Sequence, residues 1–232
     1  MNMAEEKLGR AVAFVGPPHS GKSVFLAELY RQLLAEKTIG SKAFLQRACP
    51  DGEGMWSAEA DQVLVKKLRQ KGSFDEPTMN FFVTSIRGLR RNKPIVLVDC
   101  GGRRSNQNAV ILQECSDAVI LSSNPEEFAP WKEFCAANGV NVIAEFKSEL
   151  LTLEQREELD SCLREGRALA PELVSQVETN RAPFTGTIRD LDRDRPPVTY
   201  KEALHEVSVA MGREFLENKE GREQEIPSIK IK

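Results

Sequence analysis

The stretch FVGPPHSGKSVFL, residues 14 to 26, contains the pattern GxxxxGK[ST] in full, set between an apolar run and the start of an amphipathic segment. This pattern restricts the fold because it works only where a buried strand delivers the chain into a glycine-rich turn and a helix starts directly after it. AVAFV (11 to 15) reads as that strand. SVFLAELYRQLLAEK (23 to 37) reads as the helix, with Phe25, Leu26, Leu29, Leu33 and Leu34 on its apolar side.

Farther along, short apolar runs alternate with amphipathic stretches, which predicts a three-layer α/β/α P-loop NTPase fold around a mostly parallel sheet. KAFLQRA (42 to 48), PIVLVD (94 to 99), DAVILSS (117 to 123), NVIAEF (141 to 146) and FTGTIRDL (184 to 191) are the further strands expected. Helices are expected over 57 to 71, around PEEFAPWKEFCAANG, over 152 to 166 and over 200 to 219, the last two on the surface; 79 to 93 reads as strand or helix, and the helical spacing of Phe82, Ile86 and Leu89 favours helix. At 232 residues the chain suits one domain over 1 to 220, with a flexible tail over 221 to 232.

Composition narrows the function. A formal net charge of -3 gives no long-range attraction to phosphate backbones, so nucleic acid is not an expected partner. The five cysteines are odd in number and contain no CxxC, and only His19 and His205 could join them, which argues against structural zinc and against a disulfide framework. No apolar run approaches membrane-spanning length, and the start MNMAEEKLGR has no apolar leader core, so a reducing cytoplasmic setting without membrane insertion is expected.

The residue types in the motif follow from phosphate chemistry. Gly16 and Gly21 let successive backbone N–H groups turn inward toward phosphate oxygens, and the helix start adds partial positive charge. The candidate cofactor-binding run is Gly16, Pro17, Pro18, His19, Ser20, Gly21, Lys22, Ser23 and Val24. Lys22 is expected at the β and γ phosphates and Ser23 on Mg²⁺. Pro17 and Pro18 each lack an N–H, which shifts the expected donors to residues 19 to 23. PIVLVDCGG ends a buried strand in an acid, so Asp99 is the second expected metal residue, holding a water on Mg²⁺ or orienting the nucleophile.

No Glu follows Asp99. Instead DCGGR (99 to 103) is similar to the DxxG element of GTPase-like proteins, and that likeness implies that the Gly102 N–H senses a γ-phosphate. No NKxD motif follows the later strands, so ATP is expected over GTP. PDGEG (50 to 54) is a loop after the second strand, where Asp51 is a candidate general base and Pro-Asp-Gly is equally a common solvated turn. Arg87, Arg90, Arg91 and Lys93 form a basic cluster that could clamp an acceptor, and Arg103 is the strongest candidate for a charge-stabilising arginine. RDLDRDR (189 to 195) reads as a salt-bridged loop, at the place after the last strand where some P-loop folds hold the base.

Together, GPPHSGKS, RACPDGEGMW, VDCGGR and FTGTIRDLDR resemble the P-loop ATPase domain, AAA-like or kinase-like, that is associated with or fused to ring nucleases of type III CRISPR systems. That resemblance covers residues 10 to about 210 and implies nucleotide binding beside an antiviral locus, with ring-nuclease activity left to a partner chain. The expected protein binds Mg·ATP and either hydrolyses it or transfers the γ-phosphate to a small, nucleotide-like acceptor. In the transfer version Lys22, Asp51, Asp99, Gly102 and Arg103 do the work. The alternative is a nucleotide-dependent switch that controls a partner or its own homodimerisation.

Overall fold

The structure, a computed structural model, describes residues 8 to 48 and 76 to 217. Seven strands form one sheet in the order β2-β3-β1-β4-β5-β7-β6. They are β1 (Arg10–Val15), β2 (Ala43–Arg47), β3 (Ile95–Asp99), β4 (Asp117–Ser122), β5 (Asn141–Glu149), β6 (Gln176–Glu178) and β7 (Phe184–Arg189). All neighbours run parallel except β6, a short edge strand antiparallel to β7.

The central strands are apolar on both faces because both faces are covered. From β1, Val12 and Phe14 join the cluster under α1 (Lys22–Ala35), while Ala11, Ala13 and Val15 join the cluster on the opposite face under α2 (Glu76–Asn92). The second face is completed by α3 (Asn106–Leu112) and by α4 (Phe128–Ala137), whose Trp131 and Cys135 are buried. Phe25 of α1 lies between Phe14 and Phe146, with ring centroids 5.9 and 5.5 Å away. Each such buried side chain contributes about 1.5–3 kcal/mol of transfer free energy.

Leu34 departs from the expected stripe on α1 and is exposed, whereas Leu33 is fully buried. The segment after 200 departs more. Rather than a surface helix, α6 (Lys201–Gly212) lies beside α1 and buries Leu204, Val207 and Met211, before a π-helical turn over Arg213–Glu217. Its charged residues fill only the outer stripe. The other expected surface helix, α5 (Leu153–Glu165), has the predicted limits, with Thr152 and Gln155 forming a reciprocal capping box. The expected helix over 57 to 71, the PDGEG loop and the tail after 220 lie outside the described residues.

Candidate functional site

The cradle opens where β1 ends, in the middle of the sheet. Gly16 has φ 139°, and a Cβ there would stand 1.9 Å from the carbonyl oxygen of Leu121 on β4. Gly21 has φ 83° and occupies the N-cap of α1, where no side chain caps the helix and no acid lies in the first turn. The N–H groups of that first turn are therefore the donors a phosphate would meet. Lys22 is buried and reaches back across the turn, its Nζ donating to Gly16 O at 2.9 Å, Pro17 O at 2.7 Å and Ser20 Oγ at 3.3 Å. Pro18 and His19 are exposed at the turn's crest, and Val24 packs its side chain into the core, so only its main chain faces the turn.

Asp99 ends β3, and the parallel register sets it beside Phe14 of β1. The Ser23 hydroxyl donates to Asp99 Oδ2 at 3.5 Å. A hydroxyl and a carboxylate at the mouth of a phosphate cradle are hard oxygen donors that fit Mg²⁺, which takes few protein ligands and fills its remaining positions with phosphate oxygens and water. Among the described residues no cluster of three or more His, Cys, Asp or Glu offers a rival metal site. Arg47, the last residue of β2, is in register with Asp99 and brings its Nε to 3.8 Å from Oδ2. Sequence reasoning missed Arg47, because its nearness to Asp99 depends on strand order, which no local pattern records.

The loop after Asp99 touches the cradle directly: a Cβ on Gly102 would lie 2.7 Å from the Pro18 nitrogen. Asn108 of α3, also missed, holds this loop from behind, its Nδ2 donating to Gly101 O at 2.9 Å and Arg103 O at 2.6 Å. The Arg103 side chain is exposed beside it. Arg104 turns elsewhere, pairing with Glu127 at 2.5 Å and lying over the Trp131 ring. Asp51 lies outside the described residues.

The basic cluster does not join the site. Arg87 binds Glu114, Arg90 donates to the carbonyls of Gly9 and Glu114, and Lys93 donates to Ser41 O. Gly9 and Ser41 lead into β1 and β2, so these cations brace the opposite end of the sheet. The loop after β7 does join it. Leu191 approaches Gly21 so closely that a Cβ there would be 2.8 Å away, and the buried Asp190, at φ 55°, takes Arg156 at 2.7 Å and Arg195 at 3.4 Å. The expected salt-bridged loop thus forms one wall beside the cradle.

No protein-family model matches the sequence, and no curated protein matches it. Solved structures do match in fold. The cell-division ATPase MinD from Pyrococcus furiosus superposes with a TM-score of 0.50 at 12% identity, covering 89% of this chain and 99% of that one. MinD from Aquifex aeolicus gives 0.50 at 10% identity over 94% and 99%. Cobyrinic acid a,c-diamide synthase from Mycobacterium smegmatis, solved with bound ADP and magnesium, gives 0.50 at 11% over 97% and 100%. At these identities the likeness carries the α/β fold. None of the three is described as part of a CRISPR system, so that resemblance gains no support from them.

Proposed function

We propose that this protein is a Mg²⁺-dependent P-loop NTPase that binds ATP and either hydrolyses it or passes its γ-phosphate to a small acceptor. One observation carries this: the Lys22 ammonium, the Ser23 hydroxyl and the Asp99 carboxylate converge at the end of β1, with Ser23 3.5 Å from Asp99. The relatives in fold were solved as ATPases or with bound ADP and magnesium, which agrees with the same use of the cradle here. When bound, Mg²⁺ would neutralise charge between the β and γ phosphates. The rest falls to this chain: main-chain donors of residues 19 to 23 hold the phosphates, Lys22 leaves its loop carbonyls for them, and Gly102 meets the terminal phosphate. Arg103 is free to swing toward developing charge from its exposed position. Adenine preference rests on the missing NKxD motif.

Incubation with γ-labelled ATP, Mg²⁺ and a panel of nucleosides, nucleotides and oligoadenylates separates the two reactions. Label on an acceptor establishes a kinase, and label in free phosphate alone establishes an ATPase. Asp51→Asn should abolish transfer with ATP binding nearly intact; unchanged transfer removes Asp51 from the mechanism. The association with a ring nuclease and a CRISPR locus rests on the sequence resemblance alone.

A second reading, a nucleotide-dependent switch, is favoured by one contact. Gly102 is packed on Pro18, so a movement of the cradle at Pro18 would press on the DCGGR loop. Slow turnover together with a nucleotide-dependent oligomeric state would select it.

A further inference from the structure

Asn108 is 2% exposed and stands directly behind the DCGGR loop. Its Nδ2 donates to two loop carbonyls, yet its equally enclosed Oδ1 accepts no hydrogen bond. Turning the amide over would not cure this, because it would set the oxygen against the carbonyls of Gly101 and Arg103. Both amide atoms face the same turn: a Cβ on Gly101 would lie 3.0 Å from Nδ2 and 3.3 Å from Oδ1.

The Gly101 carbonyl and the Gly102 N–H belong to one peptide unit, and in a trans peptide they point in opposite directions. By drawing Gly101 O toward α3, Asn108 turns the Gly102 N–H away from α3. Glycine flanks that peptide on both sides, so no Cβ restricts the torsions through which it would rotate by half a turn. After such a rotation the N–H would meet Oδ1, the acceptor that now has no donor, and the carbonyl would face outward in its place.

We propose that Asn108 is a positioning residue that latches this peptide in either of two orientations. With Nδ2 on the carbonyl, the Gly102 donor is presented to a terminal phosphate; with Oδ1 on the N–H, that donor is withdrawn. Asn108 therefore sets the preference for nucleoside triphosphate over diphosphate. This deepens the proposed NTPase function and rests on it.

Calorimetric titration of the full chain with Mg·ADP and Mg·ATPγS tests the latch. Wild type should prefer ATPγS. In Asn108→Asp, which has the same shape but can only accept, the preference should fall by about tenfold while ADP affinity stays within about threefold, the effect expected for losing one hydrogen bond in only one of two states. Asn108→Ala should lower the preference less, because it removes both latch positions. A wild type without preference, a preference that survives Asn108→Asp, or equal weakening of both ligands would each overturn the latch while leaving the NTPase reading in place. Failure of the wild type to bind either nucleotide would instead remove the NTPase reading and the latch together.

Discussion

Asp99 serves two neighbours, and substitution can separate their effects. Its carboxylate accepts from Ser23 and faces Arg47, so it is both a metal candidate and the anion beside a half-buried guanidinium. Asp99→Asn keeps the shape and removes the charge. Mg²⁺ should then lose most of its ability to tighten ADP binding: the ratio of dissociation constants in EDTA and in Mg²⁺ should fall to about threefold or less, with binding in EDTA little changed. An intact ratio in calorimetry would take Asp99 out of the metal site. The thiols give a separate test of the same packing. Cys100, Cys115, Cys135 and Cys162 are all buried, and desolvation pushes the Cys115 and Cys135 thiols up to about 12. At pH 8 only about one part in ten thousand of such a thiol is the reactive thiolate. With Cys49 replaced by Ser, the folded protein should therefore resist Ellman's reagent for many minutes and titrate four thiols once unfolded. Rapid reaction in the folded state would contradict the burial of these four cysteines.

Strands β1 and β4 are joined at the end remote from the cradle by one ion pair. Arg10 makes two hydrogen bonds to Asp117, which is fully buried and also accepts from Ser116 Oγ at 2.6 Å. The Arg10 guanidinium also lies 4.8 Å from the Phe215 ring centre, tying β1 to the turn that follows α6. Arg10→Ala would leave a buried carboxylate without its cation and should cost about 3–5 kcal/mol. Arg167→Ala, which breaks a pair exposed on both sides and screened by solvent, should leave stability nearly unchanged. Urea midpoints of the two variants measure the difference, and equal midpoints would mean that the Arg10 pair is no more than a surface contact. Neither partner is conspicuous in the sequence, since Arg10 and Asp117 are 107 residues apart and only the strand order unites them. The strands themselves were legible, because a parallel strand covered on both faces is an unbroken apolar run, as in AVAFV and PIVLVD. Helix α3 was not. Its seven residues are too few for a periodic signal, and its N-cap Ser105 sits in a stretch that reads as loop. Polar β6 and the end of β5 went unseen for a related reason: Gln176 and Glu178 are exposed on an edge strand, and at the end of β5 Glu149 pairs with both Lys147 and Arg189, so sheet forms there without an apolar pattern.

Across the whole molecule the two ends of the sheet have different tasks. The ends of β1, β3 and β7 gather the cradle, the acid, the DCGGR loop and the Asp190 wall, while the basic cluster and the Arg10–Asp117 pair brace the opposite edge. The motif predicted where the first end would lie, but which loops meet there follows from the strand order, which also sends the basic cluster of α2 to the far side. This separation makes ligand binding readable as stability. A nucleotide that binds only the folded chain adds about 2.7 kcal/mol at a hundred times its dissociation constant. For a chain of this size that is a rise in melting temperature of roughly 5–10 °C. Lys22→Ala is the informative control. The ammonium is buried and satisfied by the carbonyls of Gly16 and Pro17, so removing it deletes a buried charge together with its hydrogen bonds. Those effects oppose each other, and the ligand-free melting temperature should move by only a few degrees. The rise caused by Mg·ATPγS should nevertheless disappear, because the phosphates lose their only cation supplied from within the cradle. Differential scanning calorimetry of both proteins, with and without ligand, settles the matter: a Lys22→Ala protein that retains the full rise binds nucleotide somewhere other than GPPHSGKS.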